Sequence, residues 1–285
     1  MVNFAELMDV MDLRVLGPRS FEGRTPAGRN RPVFGGQFLA QALLAAGRTV
    51  EAGRSPHSLH AYFLRPGDQD LPICYDVEVI RDGRGFSHRA VVASQAGKEV
   101  FRQLQSFAAP RDAPDYQVPA PVEDVDPTTF PDYLQWCADS SDNPGHDATS
   151  EPQPVEIRFE DAPPPKPGSV VTGPIRLWMR LSEKVPSDDA VVHAALLAWL
   201  SDKSIGDLTV LVLGHCWTDL GANTSSLDHS MWFHRPARAD EWLLFAQECP
   251  TAAELRGLAR GDFFTADRRL VASAAQEALI TLPDV

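Results

Sequence analysis

The sequence has no long apolar run, no cysteine motif and no excess of positive charge. No stretch approaches the ~20 consecutive apolar residues that a membrane-spanning helix needs. The first residues have neither the basic segment nor the apolar segment of a secretion signal. The four cysteines, Cys74, Cys137, Cys216 and Cys249, are far apart and form no CxxC pair. We therefore expect reduced thiols in a cytoplasmic protein, with no disulfide framework and no zinc site.

The charge balance excludes one large class of partner. The formal net charge of −13 argues against nucleic acid, because phosphate backbones require a basic binding surface. It does not exclude a phosphorylated small molecule, which needs only a few local arginines or amides. With 285 residues and 44% hydrophobic content, the chain is long and apolar enough for one large domain or two ordinary ones.

An acidic, proline-rich segment separates the two ends of the chain. Residues 110–167 carry 13 of the 24 prolines, a composition typical of a connector. We therefore predict an N-terminal domain over residues 1–109, a linker over 110–167 and a C-terminal domain over 168–285. The apolar run 130–136 is expected to dock on a neighbouring surface, and 140–151 to be flexible.

The two predicted domains contain the same elements in the same order. Each has an alanine- and leucine-rich helical block followed by four strand-like runs separated by turns. A shift of 170 positions aligns Phe63-Leu64-Arg65-Pro66 with Phe233-His234-Arg235-Pro236, and it superposes the last two strands without a gap. The predicted helices are 36–46 and 190–201, and the predicted strands are 58–65, 73–81, 87–95, 100–108, 226–235, 242–249, 256–265 and 270–282.

A duplicated unit of one helix and an antiparallel meander suggests a particular fold. A lone apolar helix must be buried, and a curved antiparallel sheet wrapped around it does this. We therefore predict an α+β protein of the double hot-dog type, in which two helix-and-sheet repeats form one continuous unit.

Three strings carry a resemblance to a known family. They are Val33-Phe34-Gly35-Gly36-Gln37, the run 60–68 (HAYFLRPGD) and the run 228–236 (DHSMWFHRP). Together they resemble the bacterial acyl-CoA thioesterase II family (TesB-like), from about Leu13 to the C-terminus and least clearly in the linker. The resemblance implies hydrolysis of medium- to long-chain fatty acyl-CoA, without metal or cofactor, by a water that an Asp, a hydroxyl and a Gln hold.

The resemblance assigns these three roles to Asp202, Ser226 and Gln276. Ser226 stands where the family pattern has Thr, and Ala278 replaces a Gly that often follows the Gln-Glu pair. Neither departure removes a catalytic atom. Taken without the resemblance, each residue also has a plain structural explanation. Asp202 at the end of an apolar helix fits a solvated or capping carboxylate, Gln276 on a face of small residues fits a structural amide, and a serine is common at a strand start.

The helix end also bears on the chemistry of Asp202. A carboxylate at the negative end of a helix dipole, if partly buried, has a raised pKa and becomes a better base toward water. The neighbouring Asp228 and His229 are expected to face opposite ways on a strand, so we interpret them as packing and hydrogen-bonding groups. His57 and His60 have no supporting carboxylates, so a metal site there is not predicted.

Two other functions remain open at this point. A hot-dog hydratase or dehydratase would need a His near an Asp or Glu on or beside the helix, where the first helix offers Gln37 and Gln41. A non-catalytic acyl-CoA-binding protein is the third reading, and fold alone does not choose among them. No GxSxG motif indicates a serine hydrolase. Sheet edges and faces commonly pair, so we expect a homo-oligomer, a dimer or a tetramer.

Overall fold

The computed structural model describes residues 3–26, 32–122, 125–132, 153–161, 170–215 and 221–282. The predicted flexible stretch 140–151 and the linker residues 133–136 lie outside this part of the chain. Among the described residues no helix is long and apolar enough to cross a membrane.

Thirteen strands and four α-helices make up the described fold. The helices are α1 (Phe4–Met11), α2 (Gly35–Gly47), α3 (Ala190–Ser201) and α4 (Leu208–Leu211), with a 3₁₀ turn at Pro127–Thr129. The strands of the first half are β1 (Arg14–Gly17), β2 (Ser20–Gly23), β3 (Ser55–Phe63), β4 (Ile73–Asp82), β5 (Phe86–Gln95) and β6 (Lys98–Ala108). The others are β7 (Val155–Phe159), β8 (Ile175–Leu181), β9 (Asn223–Ser226), β10 (Asp228–Phe233), β11 (Leu243–Ala253), β12 (Arg256–Thr265) and β13 (Leu270–Thr281).

All of these strands belong to one antiparallel sheet. Its order is β1-β2-β4-β5-β6-β3-β10-β13-β12-β11-β8-β7, with β9 paired to β13. The two long helices α2 and α3 pack against each other, and nearly every residue of α2 is buried. A helix that is apolar all round requires such a covered position. The predicted α+β double hot-dog fold with one continuous sheet is therefore confirmed.

The register at the centre of the sheet reflects the duplication. Strands β3 and β10 pair antiparallel, and His60 lies opposite Ser230. These two residues are 230 − 60 = 170 positions apart, which is the shift that aligns the two halves. A pseudo-twofold axis therefore passes between them, and each half contributes an equivalent strand to the junction.

One part of the predicted repeat is wrong by a residue. Ala93 pairs with Phe101, whereas Phe263, which is 170 positions after Ala93, pairs with Ala272, which is 171 positions after Phe101. The cause is the turn: two residues join β5 to β6, and four join β12 to β13. Because one residue of slip moves a side chain to the other face of a sheet, Gln276 corresponds to buried Gln105 in the first half.

The described unit is also larger than one helix followed by a meander. Strand β2 precedes α2 and pairs with β4, and strand β8 precedes α3 and pairs with β11. Within each half the first strand after the helix crosses the meander to its far side, so β3 pairs with β6. The predicted meander was therefore incomplete, because short or mixed strands such as Ser20–Gly23 give little periodicity.

The described part of the linker packs on the second half. Val122 is buried with Trp178, Leu244 and Phe264, and Phe130 packs against this cluster. The predicted docking of the segment that begins at Phe130 is confirmed for that residue. The boundaries at 109/110 and 167/168 remain a proposal, and strand β7 lies inside the span proposed as linker.

Candidate active site

The predicted catalytic carboxylate lies where the two halves meet. Asp202 is the C-cap residue of α3, and the backbone N–H of Gly36, in the first turn of α2, donates a hydrogen bond to it. A Cβ atom at Gly35 would lie 2.6 Å from the Asp202 Oδ2 atom. The close approach therefore depends on glycine at the start of α2, and the carboxylate of one half faces the helix start of the other.

The three predicted residues come together in a chain of hydrogen bonds. The Ser226 Oγ atom, at the end of β9, donates to Asp202 Oδ1 at 3.3 Å. The Gln276 Nε2 atom, on β13, donates to Ser226 Oγ at 2.9 Å, and the same amide also donates to Asp202. Strand β9 pairs with β13, which brings Ser226 and Gln276 to the same end of the sheet.

The environment of Asp202 favours its neutral form. Burial raises its pKa to about 6, while hydrogen bonds from Gly36, Gln276 and Ser226 and the charge of Lys203 oppose that rise. The sequence predicted a raised pKa from the helix end together with partial burial. The direction agrees, and burial is the leading cause. Gln276 is buried, whereas Asp202 and Ser226 are partly exposed.

A fully buried histidine, which the sequence did not indicate as functional, lies behind Gln276. The His229 Nδ1 atom lies 2.6 Å from Gln276 Oε1, and its Nε2 atom lies 3.0 Å from Ser201 Oγ. Burial lowers the pKa of His229 to about 4. Asp228 faces away and accepts a hydrogen bond from the Glu277 N–H, so the expected opposite orientation of this pair is confirmed.

A second carboxyl group near Asp202 was also missed. Burial and the charge of Asp202 raise the pKa of Asp207 to about 7. A Cβ atom at the preceding residue, Gly206, would lie 3.2 Å from Gln276 Nε2, so this loop passes directly over the site. No periodicity or motif in the sequence indicates that the Asp207 carboxyl group, five residues along the loop, lies close to Asp202.

The other polar candidates have structural partners. His57 lies 2.8 Å from Ser106 Oγ and His60 lies 3.0 Å from Ser230 Oγ. Gln41 donates to the Val10 carbonyl oxygen, and its own Oε1 atom accepts from a tyrosine hydroxyl. Within the ranges that the structure describes, no three or more His, Cys, Asp or Glu side chains are grouped as metal ligands would be.

Comparison with known proteins agrees with this architecture. A family model described as acyl-CoA thioesterase matches residues 148–279, and one described as acyl-CoA thioesterase N-terminal domain matches residues 24–108. The chain is 35% identical to acyl-coenzyme A thioesterase 8 of Homo sapiens, over 95% of this chain and 87% of that protein. It is 33% identical to acyl-CoA thioesterase 2 of Haemophilus influenzae, over 96% of both chains.

A solved structure resembles the whole chain. The tesB protein of Mycobacterium avium subs paratuberculosis superposes with a TM-score of 0.80 and 30% identity, over 98% of this chain and 99% of that one. The fold and these matches define a thioester hydrolase of the hot-dog class. Within that class, the chain belongs to the acyl-CoA thioesterase family, as a TesB-like acyl-CoA thioesterase II.

Proposed function

We propose that this enzyme hydrolyses medium- to long-chain fatty acyl-CoA with Asp202 as the general base that activates water. One observation carries the proposal: a partly exposed carboxylate with a raised pKa accepts hydrogen bonds from a hydroxyl and an amide. A base is most effective when its pKa lies near the working pH, and burial moves Asp202 toward that range.

The reaction uses no group outside the chain, the substrate and water. Asp202 removes a proton from water as the water oxygen attacks the thioester carbonyl carbon. The tetrahedral oxyanion then collapses and expels the CoA thiolate. The thiolate accepts from Asp202 the proton that came from water. Ser226 and Gln276 hold the attacking water in line with the carbonyl carbon. The entropy of ordering the water is then lost before the chemical step, which lowers the activation free energy.

The oxyanion needs donors, and the start of α2 is the nearest source. Helix N-termini present free backbone N–H groups and partial positive charge. In this chain that end lies against Asp202, because Gly36 already donates to the carboxylate. We assign oxyanion stabilisation to the first turn of α2, because donors that are already in place need no reorganisation as the charge develops.

The test is release of free CoA from a panel of acyl-CoA thioesters by the wild type and by Asp202→Asn. The wild type should turn over, and the Asn variant should lose roughly 10²- to 10⁴-fold in kcat because it cannot accept a proton. A panel that contains short, medium and long chains gives the preferred length. The proposal fails if a folded Asp202→Asn enzyme keeps wild-type kcat, or if neither medium nor long chains are hydrolysed.

Location and assembly belong to the same proposal. We expect a cytoplasmic homo-oligomer, a dimer or a tetramer. Among the described residues Cys74 and Cys249 are free thiols, and the outer sheet face exposes Tyr62, Leu104 and Trp232. Light scattering of the purified protein gives the oligomeric state, and a monomer at micromolar concentration would contradict it.

A further inference from the structure

A buried chain of hydrogen bonds lies behind the site. The Gln276 Oε1 atom is an acceptor only, so the neighbouring His229 Nδ1 atom must carry the proton of the neutral ring. With Nδ1 protonated, the His229 Nε2 atom is an acceptor. The Ser201 hydroxyl has two acceptors within reach, the Ala198 carbonyl oxygen at 2.8 Å and His229 Nε2 at 3.0 Å. Ser201, His229 and Gln276 are all buried, so no bulk water competes for these bonds.

The carboxylate at the other end of the chain decides which way the Gln276 amide faces, because it only accepts hydrogen bonds and takes one from this amide. With its oxygen bound to His229, its NH₂ group points to Ser226 Oγ at 2.9 Å and to Asp202. Ser226 Oγ accepts from the amide and therefore donates its own proton to Asp202 Oδ1. A rotated amide would place its oxygen against the carboxylate and would take up the Ser226 proton, which leaves the base without either donor.

We propose that His229 is a positioning residue, which acts through Gln276 by holding the amide with its NH₂ group toward Ser226 and Asp202. This role rests on the proposed function of the three catalytic residues. It assigns His229 no contact with substrate or water.

The duplicated fold supplies the contrast that supports this assignment. The position equivalent to His229 in the first half, 170 residues earlier, is Leu59, which is fully buried at the same place on β3. The fold therefore accepts an apolar side chain there. In that half the equivalent amide, Gln105, donates to the Ala42 carbonyl oxygen at 3.0 Å, and its Oε1 atom has no hydrogen-bond partner among the described residues.

The test compares kcat and KM for hydrolysis of a good acyl-CoA substrate. His229→Leu should lower kcat about 10- to 100-fold through a misplaced amide, with KM changed by less than about threefold. His229→Asn should recover at least about tenfold of that loss, because its amide N–H reaches the place of Nδ1. In a Gln276→Ala background, His229→Leu should cause no further loss, since the residue through which it acts is gone.

A matched control is the other buried histidine with described partners. His193 is bonded to the Ser187 carbonyl oxygen and to the Ala239 N–H, outside the catalytic chain. His193→Leu should lower Tm and leave kcat within about twofold of wild type. If His229→Leu does not fold, His229→Asn is compared with His229→Gln, whose amide reaches the place of Nε2 and leaves that of Nδ1 empty, and only the Asn enzyme should be fast.

The outcomes separate this role from the proposed function. The positioning role is wrong if folded His229→Leu keeps wild-type kcat, if its effect persists undiminished without Gln276, or if the Asn and Gln variants are equally fast. Should Asp202→Asn also keep full activity, the catalytic proposal is wrong as well. If Asp202→Asn is inactive while His229→Leu is fully active, only the role of His229 is lost.

Discussion

Asp202 is the residue whose ionisation should control the enzyme. Its pKa of about 6 means that the carboxylate needed to accept a proton is fully present only above that pH. We therefore expect kcat/KM to fall tenfold per pH unit below about pH 6 and to be flat above it until other groups titrate. A rate profile with an acid limb near pH 4, the ordinary range of Asp, would contradict this assignment.

The same raised pKa makes the carboxylate a cost to stability. The folded state holds the Asp202 proton more tightly than the unfolded state, whose pKa is near 3.8. The stabilising effect of this proton is complete below about pH 4 and is lost as the pH rises through about 6. Asp202→Asn should therefore be more stable than wild type at about pH 8, by ~1–3 kcal/mol, with a smaller difference at pH 4. Urea unfolding at both pH values measures it, and a variant that is less stable at the higher pH would contradict the sign.

At this scale the sequence proposed three residues that the structure brings together, and it gave no signal for two others beside them. Asp202, Ser226 and Gln276 came from the resemblance, and alternation along the last strand already placed Gln276 on the inner face. His229 and Asp207 gave no comparable signal. A strand histidine is ordinarily a packing residue, and the return of the loop after α3 over Gln276 depends on tertiary contacts that no local pattern contains.

At the scale of elements, the distance between α2 and α3 sets the site. A Cβ atom at Gly36 would lie 2.7 Å from the Trp199 carbonyl oxygen on α3 and 2.5 Å from the Phe34 ring. Gly36→Ala should push the helices apart, lower the free energy of unfolding by ~1–3 kcal/mol and reduce kcat at least about tenfold. Gly17→Ala is the control, because its nearest neighbour is 4.0 Å away and neither property should change. Wild-type kcat in Gly36→Ala would show that the helix spacing does not position Asp202.

The elements differed in how far the sequence could define them. Both long helices were found to within a residue or so, because an unbroken run of alanine and leucine leaves few alternatives. The hairpin strands were also found, since glycine and charged turns interrupt them. Strand β13 was placed one residue out of register, because a uniform shift of 170 positions assumes equal turns and the turn before β13 is longer than the turn before β6. Strands β2 and β8 were missed, although the alternating run Ile175–Leu181 carries a usable signal.

At the scale of the whole molecule, the duplication creates two equivalent places, one beside the end of α3 and one beside the end of α2. Only the place beside α3 has the polar residues of the proposed site. In the first half Pro56 and Leu59 stand at the positions of Ser226 and His229. The first acidic residue after α2 is Glu51, an exposed side chain that pairs with Arg54. That side of the molecule also places buried Arg89 against Thr49 at the end of α2. The duplicated fold therefore has two equivalent scaffolds, and only the one that contains Asp202 carries the proposed catalytic carboxylate.

We accordingly expect one active site per chain. A non-hydrolysable acyl-CoA thioether should bind with a stoichiometry of about one per chain in calorimetry, since the second site lacks the polar groups that make the first. Asp202→Asn should remove nearly all of the activity, because the first-half site contributes none. A stoichiometry near two, or half of the wild-type rate in Asp202→Asn, would show that the equivalent site is also functional.

The central claim is that Asp202 acts on water and not on the substrate directly. A single turnover in ¹⁸O-labelled water, with enzyme in excess over acyl-CoA, separates these two roles, because a carboxylate nucleophile forms an anhydride whose hydrolysis can place water oxygen in the protein. Mass spectrometry of the released fatty acid and of the peptide that contains Asp202 provides both readouts. The account predicts one ¹⁸O atom in the fatty acid and none in Asp202. Label in the Asp202 carboxylate together with unlabelled fatty acid would contradict it.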